Sequence, residues 1–214
     1  MTTKSYRQLR EALTAFIPAS RLITDPLRLV TWGGDASFYR LVPKIVVVVE
    51  SEAELKRLLG LCADLHTPVT FRAAGTSLSG QAISDSVLIL LGDQWRGCTP
   101  NEDGMTIALQ PGVIGAVANR RLAPFRRKIG PDPASIDAAM IGGIAANNSS
   151  GMCCGTAQNS YQTLAGMRMV LADGTVLDTR DAASRAAFLA QKSELVRDLD
   201  ALGRAARANE PLAA

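Results

Sequence analysis

Ten residues between two predicted β-strands read Arg72-Ala73-Ala74-Gly75-Thr76-Ser77-Leu78-Ser79-Gly80-Gln81, and we call them the small-residue loop. Seven of the eight residues from 73 to 80 are Ala, Gly, Ser or Thr, so backbone N–H groups can approach an anion closely and hydroxyls can add donors. Gly75 and Gly80 can adopt the positive φ that strains other residues, and Arg72 can lend a charge. The pattern predicts an anion-binding loop, with an ordinary tight surface loop as the alternative.

The sequence around this loop predicts a parallel β-α-β unit. Residues 44–50 form a continuous β-branched run, which is typical of a strand buried on both faces. Ser51 is a helix N-cap followed by acidic residues, which predicts a helix to about Leu65. Residues 68–72 and 86–91 are the next predicted strands, so the small-residue loop follows the carboxyl end of a parallel strand.

The remaining sequence predicts mainly antiparallel strands and flanking helices, and the fold class is therefore α+β. A hairpin is predicted around Asp173-Gly174. The other predicted elements are helices over residues 4–17, 114–122 and 183–207, a strand over 105–110 and an irregular segment over 19–42.

A second polar, glycine-bearing segment runs from Gly130-Pro131-Asp132 to Ser135 and continues through residues 141–151. Gly142 and Gly143 allow close backbone approach, and the Asn-Asn-Ser-Ser run that starts at Asn147 offers amides and hydroxyls. We interpret this segment as a second binding loop, with tight helix packing as the alternative.

Two common phosphate-binding motifs are excluded. Gly75 and Gly80 have the spacing of a P-loop, but Gln81 stands where that motif requires Lys. No G-x-G-x-x-G sequence follows the first strand, so a Rossmann dinucleotide site is not predicted.

Composition excludes several classes of protein. A hydrophobic fraction of 47% over 214 residues supports a packed core, and a net charge of +3 does not indicate nucleic-acid binding. The longest apolar run, residues 45–49, is far short of the about 20 residues that span a bilayer, and no secretory signal is visible. Four cysteines without a C-x-x-C pair and a single histidine, His66, predict reduced thiols and no metal site.

Together, these residues resemble a known family. The small-residue loop is similar to the pyrophosphate loop of the vanillyl-alcohol oxidase type, or PCMH type, FAD-binding domain. Pro131-Asp132-Pro133 and Ile141-Gly142-Gly143 with Asn147 resemble its second flavin-contacting segment, and residues 170–174 resemble its hairpin. Residues 31–39 further resemble the bacterial branch of D-lactate and D-2-hydroxyglutarate dehydrogenases.

The resemblance implies that FAD is the cofactor. Main-chain groups of residues 74–79 would hold the pyrophosphate, Gly80 and Gln81 would close the loop near the flavin, and the second segment would line the channel. The implied cofactor-binding residues are Arg72, Ala73, Ala74, Gly75, Thr76, Ser77, Leu78, Ser79, Gly80, Gln81, Pro131, Asp132, Ser135, Met140, Gly142, Gly143, Asn147, Asn148, Ser150 and Gly151.

The resemblance also implies non-covalent FAD. Some relatives tether FAD through a His in the pyrophosphate loop, where this sequence has Thr76, and some add a Cys at a position that falls near Ile136 or Asp137. No residue of the chain is assigned a catalytic role, because the flavin performs the hydride chemistry.

The predicted domains are an N-terminal helix and arm (1–42), two FAD-binding subdomains (43–110, parallel; 111–182, mainly antiparallel) and a C-terminal helix (183–214) that begins a truncated remainder.

The implied function is the FAD-binding part of an oxidoreductase that oxidises a D-2-hydroxy acid by hydride transfer to FAD, with that small acid bound only by the full-length protein. The alternatives are a FAD- or nucleotide-binding module without turnover, or the FAD domain of a cell-wall precursor reductase. The expected location is the cytoplasm, or the periphery of the inner membrane for the full-length protein.

Overall fold

A computed structural model describes residues 3–209 of the chain. These residues form two compact units, one ending at Leu164 and the other beginning at Ala165. The four predicted domains and the boundaries between them stay predictions. Residues 1–2 of the first predicted domain and residues 210–214 of the last lie outside the described residues.

Strands and helices alternate in the first unit as far as residue 72, and three further strands and then three helices follow. Its elements are α1 Thr3–Leu13, β1 Leu22–Ile23, α2 Pro26–Val30, β2 Ile45–Val49, α3 Glu52–Asp64, β3 Val69–Arg72, β4 Val87–Leu91, β5 Cys98–Pro100, β6 Ile107–Leu109, α4 Gly115–Leu122, α5 Ile141–Ala146 and α6 Ser160–Thr163. The second unit contains β7 Arg168–Val170, β8 Val176–Asp178, α7 Ala182–Gln191 and α8 Ser193–Ala208.

The main sheet has four strands in the order β1-β2-β4-β3. Strand β4 pairs in parallel with β2 on one side, from Ile45 opposite Val87, and with β3 on the other, from Val69 opposite Val87. Strand β1 adds an antiparallel edge to β2. The predicted parallel β-α-β unit is therefore confirmed, with β4 as the strand between the two earlier ones.

Both faces of the two inner strands, β2 and β4, are buried. Val46, Leu88 and Leu90 pack with Ile23 and Leu29, and with the partly buried Trp32 and Val48. The alternate strand residues, such as Val47 and Ile89, are fully buried as well, and α3 packs against β2 while α1 packs against α3. The continuous apolar run of β2 is explained by this double burial.

Helix α3 has the predicted start and a defined end. The Ser51 hydroxyl accepts a hydrogen bond from Glu54 N–H at 3.2 Å, as an N-cap does. At the other end His66 takes φ 48° and donates its N–H to Ala63 O, while Thr67 N–H donates to Cys62 O, which is a Schellman motif. His66 therefore terminates the helix.

In the first unit, three predictions of secondary structure need correction. Residues 19–42 are not wholly irregular, since they contain β1 and α2, with Asp25 capping α2 through Arg28 N–H. The first helix ends at Leu13, and a turn in which Thr14 Oγ1 donates to Glu11 O replaces its predicted last four residues. Residues 141–146 form a short helix, although the sequence predicted a loop there.

The second unit consists of a hairpin followed by two helices. Strands β7 and β8 pair antiparallel, as predicted for the turn at Asp173-Gly174. The predicted single helix 183–207 is instead divided at Lys192, whose φ of −123° leaves the helical region. Its ammonium group pairs with the Asp173 carboxylate in the hairpin turn.

Within residues 3–209, antiparallel pairing outside the main sheet consists of two ribbons, β5–β6 and β7–β8, and two isolated bridges, Gly34–Arg40 and Ile114–Met140. The fold is thus α+β, with one mixed sheet that carries the parallel strands and separate antiparallel strands flanked by helices. Among residues 3–209, no helix is both long enough and apolar enough to cross a membrane.

Candidate functional site

A cleft of about 530 Å³ lies beside the small-residue loop in the first unit. Residues after β3 form one wall, and residues around α5 form the other. The lining residues are Phe71, Ala73, Ala74, Gly75, Thr76, Ser77, Leu78, Ser79, Gln81, Ala82, Pro133, Ser135, Ala139, Met140, Gly143, Ile144, Ala146, Asn147, Ser149 and Ser150.

The small-residue loop presents backbone donors to this cleft. Gly75 and Gly80 have φ of +72° and +73°, so both take the left-handed conformation that the sequence predicted. Within residues 3–209, no acceptor pairs with the N–H groups of residues 74–78, all of which line the cleft. A run of unpaired donors of this kind is suited to an anion with several oxygens.

Ser77 organises the second half of the loop. Its hydroxyl accepts hydrogen bonds from the N–H groups of Ser79 (3.2 Å) and Gln81 (3.3 Å) and donates to Gln81 Oε1 at 3.0 Å. This hydroxyl therefore makes its hydrogen bonds inside the loop, and the expectation that hydroxyls of the loop add donors for an anion does not hold for Ser77.

The opposite wall approaches the loop closely. A Cβ placed on Gly143 would lie 3.5 Å from Ala73 Cβ, so a larger side chain in α5 would narrow the cleft. The two walls are joined by Gln81 Nε2, which donates to Asn147 Oδ1 at 3.3 Å. The structure thus brings together the two segments that the sequence singled out separately.

Arg72 and Asp35 lie at the base of the small-residue loop and are not part of the cleft wall. Arg72 Nη1 donates to Gly34 O (2.8 Å) and Ala82 O (3.2 Å), and Asp35 accepts from the N–H groups of Ser37 and Ala82. Desolvation raises the pKa of Asp35, but these hydrogen bonds and the nearby Arg72 outweigh it and leave the pKa lowered.

Thirteen of the twenty predicted cofactor-binding residues line the cleft, and the rest lie elsewhere. Gly142 N–H donates to Pro111 O, the Asp132 carboxylate pairs with Lys128 at 2.9 Å, and Asn148 Oδ1 accepts from Tyr161 N–H. The predicted residues outside the cleft wall are Arg72, Gly80, Pro131, Asp132, Gly142, Asn148 and Gly151.

Gly80 lies in a separate, smaller groove of about 290 Å³ beside Tyr39 and Arg40. A Cβ at Gly80 would lie 3.1 Å from the Tyr39 ring, which explains the glycine there. Gly151 is required by packing too, since a Cβ there would collide with Asp132 O.

Sequence reasoning missed seven lining residues, which are Phe71, Ala82, Pro133, Ala139, Ile144, Ala146 and Ser149. Each of them is the direct neighbour in sequence of a residue that was predicted. Six of the seven are apolar, and an apolar residue carries no sequence signal for binding by itself; the seventh, Ser149, lies inside the Asn-Asn-Ser-Ser run.

The cysteines lie outside the cleft wall and are free thiols. Cys62 is buried in α3, and desolvation raises the pKa of its thiol to about 11. Cys153 is exposed, and Cys154 Sγ accepts a hydrogen bond from Gly151 N–H. No group of His, Cys, Asp and Glu within residues 3–209 is arranged to hold a metal ion.

Comparisons of sequence and of fold with known proteins both identify similar FAD-binding domains or oxidoreductases. The model of the FAD binding domain family matches residues 43–180. Glycolate oxidase subunit GlcD of Escherichia coli (strain K12) is 31% identical over 146 residues, which cover 67% of this chain and 29% of the relative. D-2-hydroxyglutarate dehydrogenase of the same strain is 27% identical over 155 residues, covering 71% of this chain and 15% of the relative.

The fold is similar to that of p-cresol methylhydroxylase solved with substrate bound. The TM-score is 0.70 at 16% identity, and the match covers 84% of this chain and 36% of that one. The chain spans less than a third of the length of the two curated relatives above.

Proposed function

The chain belongs to the FAD binding domain family, and from this premise we propose that it is the cofactor-binding part of an oxidoreductase that oxidises a D-2-hydroxy acid. Two of its relatives are named as oxidoreductases of hydroxy acids, glycolate oxidase and D-2-hydroxyglutarate dehydrogenase. The particular acid, D-lactate or D-2-hydroxyglutarate, is part of the proposal.

The observation that carries the proposal is the row of N–H groups of residues 74–78, which line the cleft and have no acceptor within the described chain. A pyrophosphate offers several anionic oxygens at adjacent positions, so it can accept from several N–H groups in one row. The absence of side chains larger than Thr from residue 73 to residue 77 allows that close approach. The donor set of the cleft therefore fits the phosphate part of FAD.

The second wall would bind the remainder of the cofactor. Ser135, Asn147 and Ser150 offer polar side chains, and the partly exposed Met140 offers apolar surface for a flat ring. Gln81, which reaches Asn147, would keep the walls at a fixed separation while FAD lies between them. The predicted residues outside the wall would act by shaping the segments that carry these groups.

Bound FAD supplies the acceptor for the hydride that leaves the α-carbon of the hydroxy acid. The residues of this chain hold and orient that cofactor, and we assign none of them an acid or base role. We therefore propose that the 214-residue chain binds FAD and does not turn over hydroxy acids by itself. We further propose a cytoplasmic location, or the periphery of the inner membrane, for the full-length protein.

The experiment is a titration of the purified chain with FAD, followed by flavin fluorescence and by absorbance near about 450 nm, where flavins absorb. Saturable quenching that ADP relieves by competition is expected, because ADP shares the pyrophosphate. ATP binding without FAD binding would instead identify a nucleotide-binding module and refute the proposal.

Turnover is tested separately on the FAD-loaded chain. D-lactate and D-2-hydroxyglutarate are supplied with an artificial dye as electron acceptor, and no saturable dye reduction is expected. Robust reduction would mean that a complete catalytic set lies within these residues.

A further inference from the structure

We propose that Arg72 is a positioning residue, which holds the small-residue loop in its anion-binding shape from behind and does not give its charge to the bound phosphates. This inference rests on the proposed binding of FAD in the cleft. It replaces the simpler expectation that an arginine at the start of such a loop contacts the anion.

One guanidinium joins the two ends of the loop. Arg72 is the last residue of β3, and its Nη1 donates to Ala82 O, directly after the loop, at 3.2 Å. The same nitrogen donates to Gly34 O at 2.8 Å, and the guanidinium carbon lies 5.5 Å from the centre of the Trp32 ring. Two carbonyls and an aromatic face therefore fix the side chain.

A second segment, residues 34–37, is hydrogen-bonded to the loop and to the residue after it, and we call this segment the strap. Its Ala36 N–H donates to Gly75 O at 3.0 Å, and its Asp35 Oδ2 accepts from Ala82 N–H at 3.4 Å. Asp35 Oδ1 accepts from Ser37 N–H at 2.9 Å, which fixes the strap itself. Strap and guanidinium together hold the beginning, the middle and the end of the loop.

The placement of Arg72 argues against direct contact with a ligand. The seven residues after it, 73–79, all line the cleft, and Arg72 does not. Its guanidinium lies under Gly75, where an added Cβ would collide with it. Gly75 is therefore the point at which the backbone passes over the guanidinium.

The charges around Arg72 also argue against a direct contact between its guanidinium and a bound anion. The Asp35 carboxylate interacts electrostatically with Arg72, so the two opposite charges partly cancel when seen from the cleft. An anion in the cleft would then be held by the backbone donors, and the field of Arg72 would add little to its binding.

The test separates the placement of the guanidinium from its charge. In Arg72→Lys the charge stays, but the planar guanidinium that reaches both carbonyls and lies against the Trp32 ring is lost, so we expect FAD affinity to fall about tenfold or more. The matched control is Arg120→Lys, at an exposed arginine of α4, which should bind FAD like the unaltered chain. Far-UV circular dichroism of each variant establishes that it is folded.

Two further measurements, the salt dependence of Kd and the rescue of affinity by guanidinium ion, do not respond to a general loss of stability. The slope of log Kd against log salt, between about 50 and 200 mM NaCl, should be the same for Arg72→Ala as for the unaltered chain, since no direct charge contact is lost. Guanidinium ion at millimolar concentration should restore FAD affinity to Arg72→Ala, whereas an equal concentration of ammonium ion should not.

Each outcome is informative. If the unaltered chain fails to bind FAD, the proposed function is wrong. If it binds FAD and Arg72→Lys binds equally well, or if Arg72→Ala flattens the salt slope, the positioning role is wrong and direct charge contact takes its place. If Arg72→Ala is folded but binds no FAD, Asp35→Asn is the second variant, because it weakens the strap and leaves Arg72 in place. Unaltered FAD affinity of Asp35→Asn also contradicts the inference.

Discussion

Replacement of Gly75 by alanine tests how the small-residue loop is built. Gly75 has φ +72°, where an L-residue costs about 1–2 kcal/mol. The new Cβ also collides with the Arg72 guanidinium, which must move away from Gly34 O and Ala82 O. Hydrogen bonds from a charged donor contribute about 1.5–3 kcal/mol when fully formed, so partial loss adds about 1–2 kcal/mol. We expect Gly75→Ala to lower the free energy of unfolding by about 2–4 kcal/mol.

Two other glycines supply matched controls. Gly155 has φ +52° with no atom within 4 Å of a Cβ, so Gly155→Ala should show the backbone cost alone, about 1–2 kcal/mol. Gly60 lies inside α3, also with open space and without a positive φ, so Gly60→Ala should stabilise the protein by about 0.5–1 kcal/mol.

The assay is urea unfolding followed by far-UV circular dichroism, together with the FAD titration. The unfolding free energies should fall in the order Gly60→Ala, unaltered chain, Gly155→Ala, Gly75→Ala, and only Gly75→Ala should lose FAD affinity. A Gly75→Ala protein as stable as the unaltered chain, or one equal to Gly155→Ala in both measurements, would refute the reasoning.

Further predictions concern the core, pH, thiols and cofactor. Leu58→Ala removes a fully buried side chain of α3 and should cost about 2–5 kcal/mol in urea unfolding, and a loss below about 1 kcal/mol would contradict the packing. The pKa of Asp35 is lowered in the folded state, so its stabilisation is present above the unfolded pKa of about 3.9 and is lost as pH falls through the folded value. The stability difference between the unaltered chain and Asp35→Asn should therefore shrink as pH is lowered below about 4, and a constant difference would argue against it. A thiol reagent should label exposed Cys153 in the native protein but reach Cys62, with its pKa of about 11, only after unfolding, as peptide mapping would detect. Bound FAD should remain in the supernatant after acid precipitation, since Thr76 cannot form the linkage that a histidine makes, and flavin fluorescence in the pellet would overturn this.

The elements predicted best are those whose sequence signal is local. Strand β2 is a continuous β-branched run, and α3 carries its own cap at Ser51, so neither depends on distant residues. Helix α5 was missed because Gly142 and Gly143 have low helix propensity, and the packing of Gly142 against Pro111 compensates for it. The division at Lys192 was missed because both flanking segments are good helix formers.

The candidate site was predicted as two separate polar, glycine-bearing segments of the sequence. The small-residue loop and the segment around Asn147 were recognised separately, and the structure joins them into one cleft. The role of Arg72 was not predictable, since its partner Gly34 lies 38 residues earlier and contributes a backbone carbonyl, which every residue carries.

The strand order β1-β2-β4-β3 has a consequence for synthesis on the ribosome. Strands β2 and β3 are made first, but they do not pair with each other, because β4 lies between them. A nascent chain that has emerged only as far as the small-residue loop therefore has no partner for β3, and the ladder closes once Leu91 is available. The second wall of the cleft extends to Ser150, so the two walls cannot meet until β4 and then the residues around α5 have been synthesised.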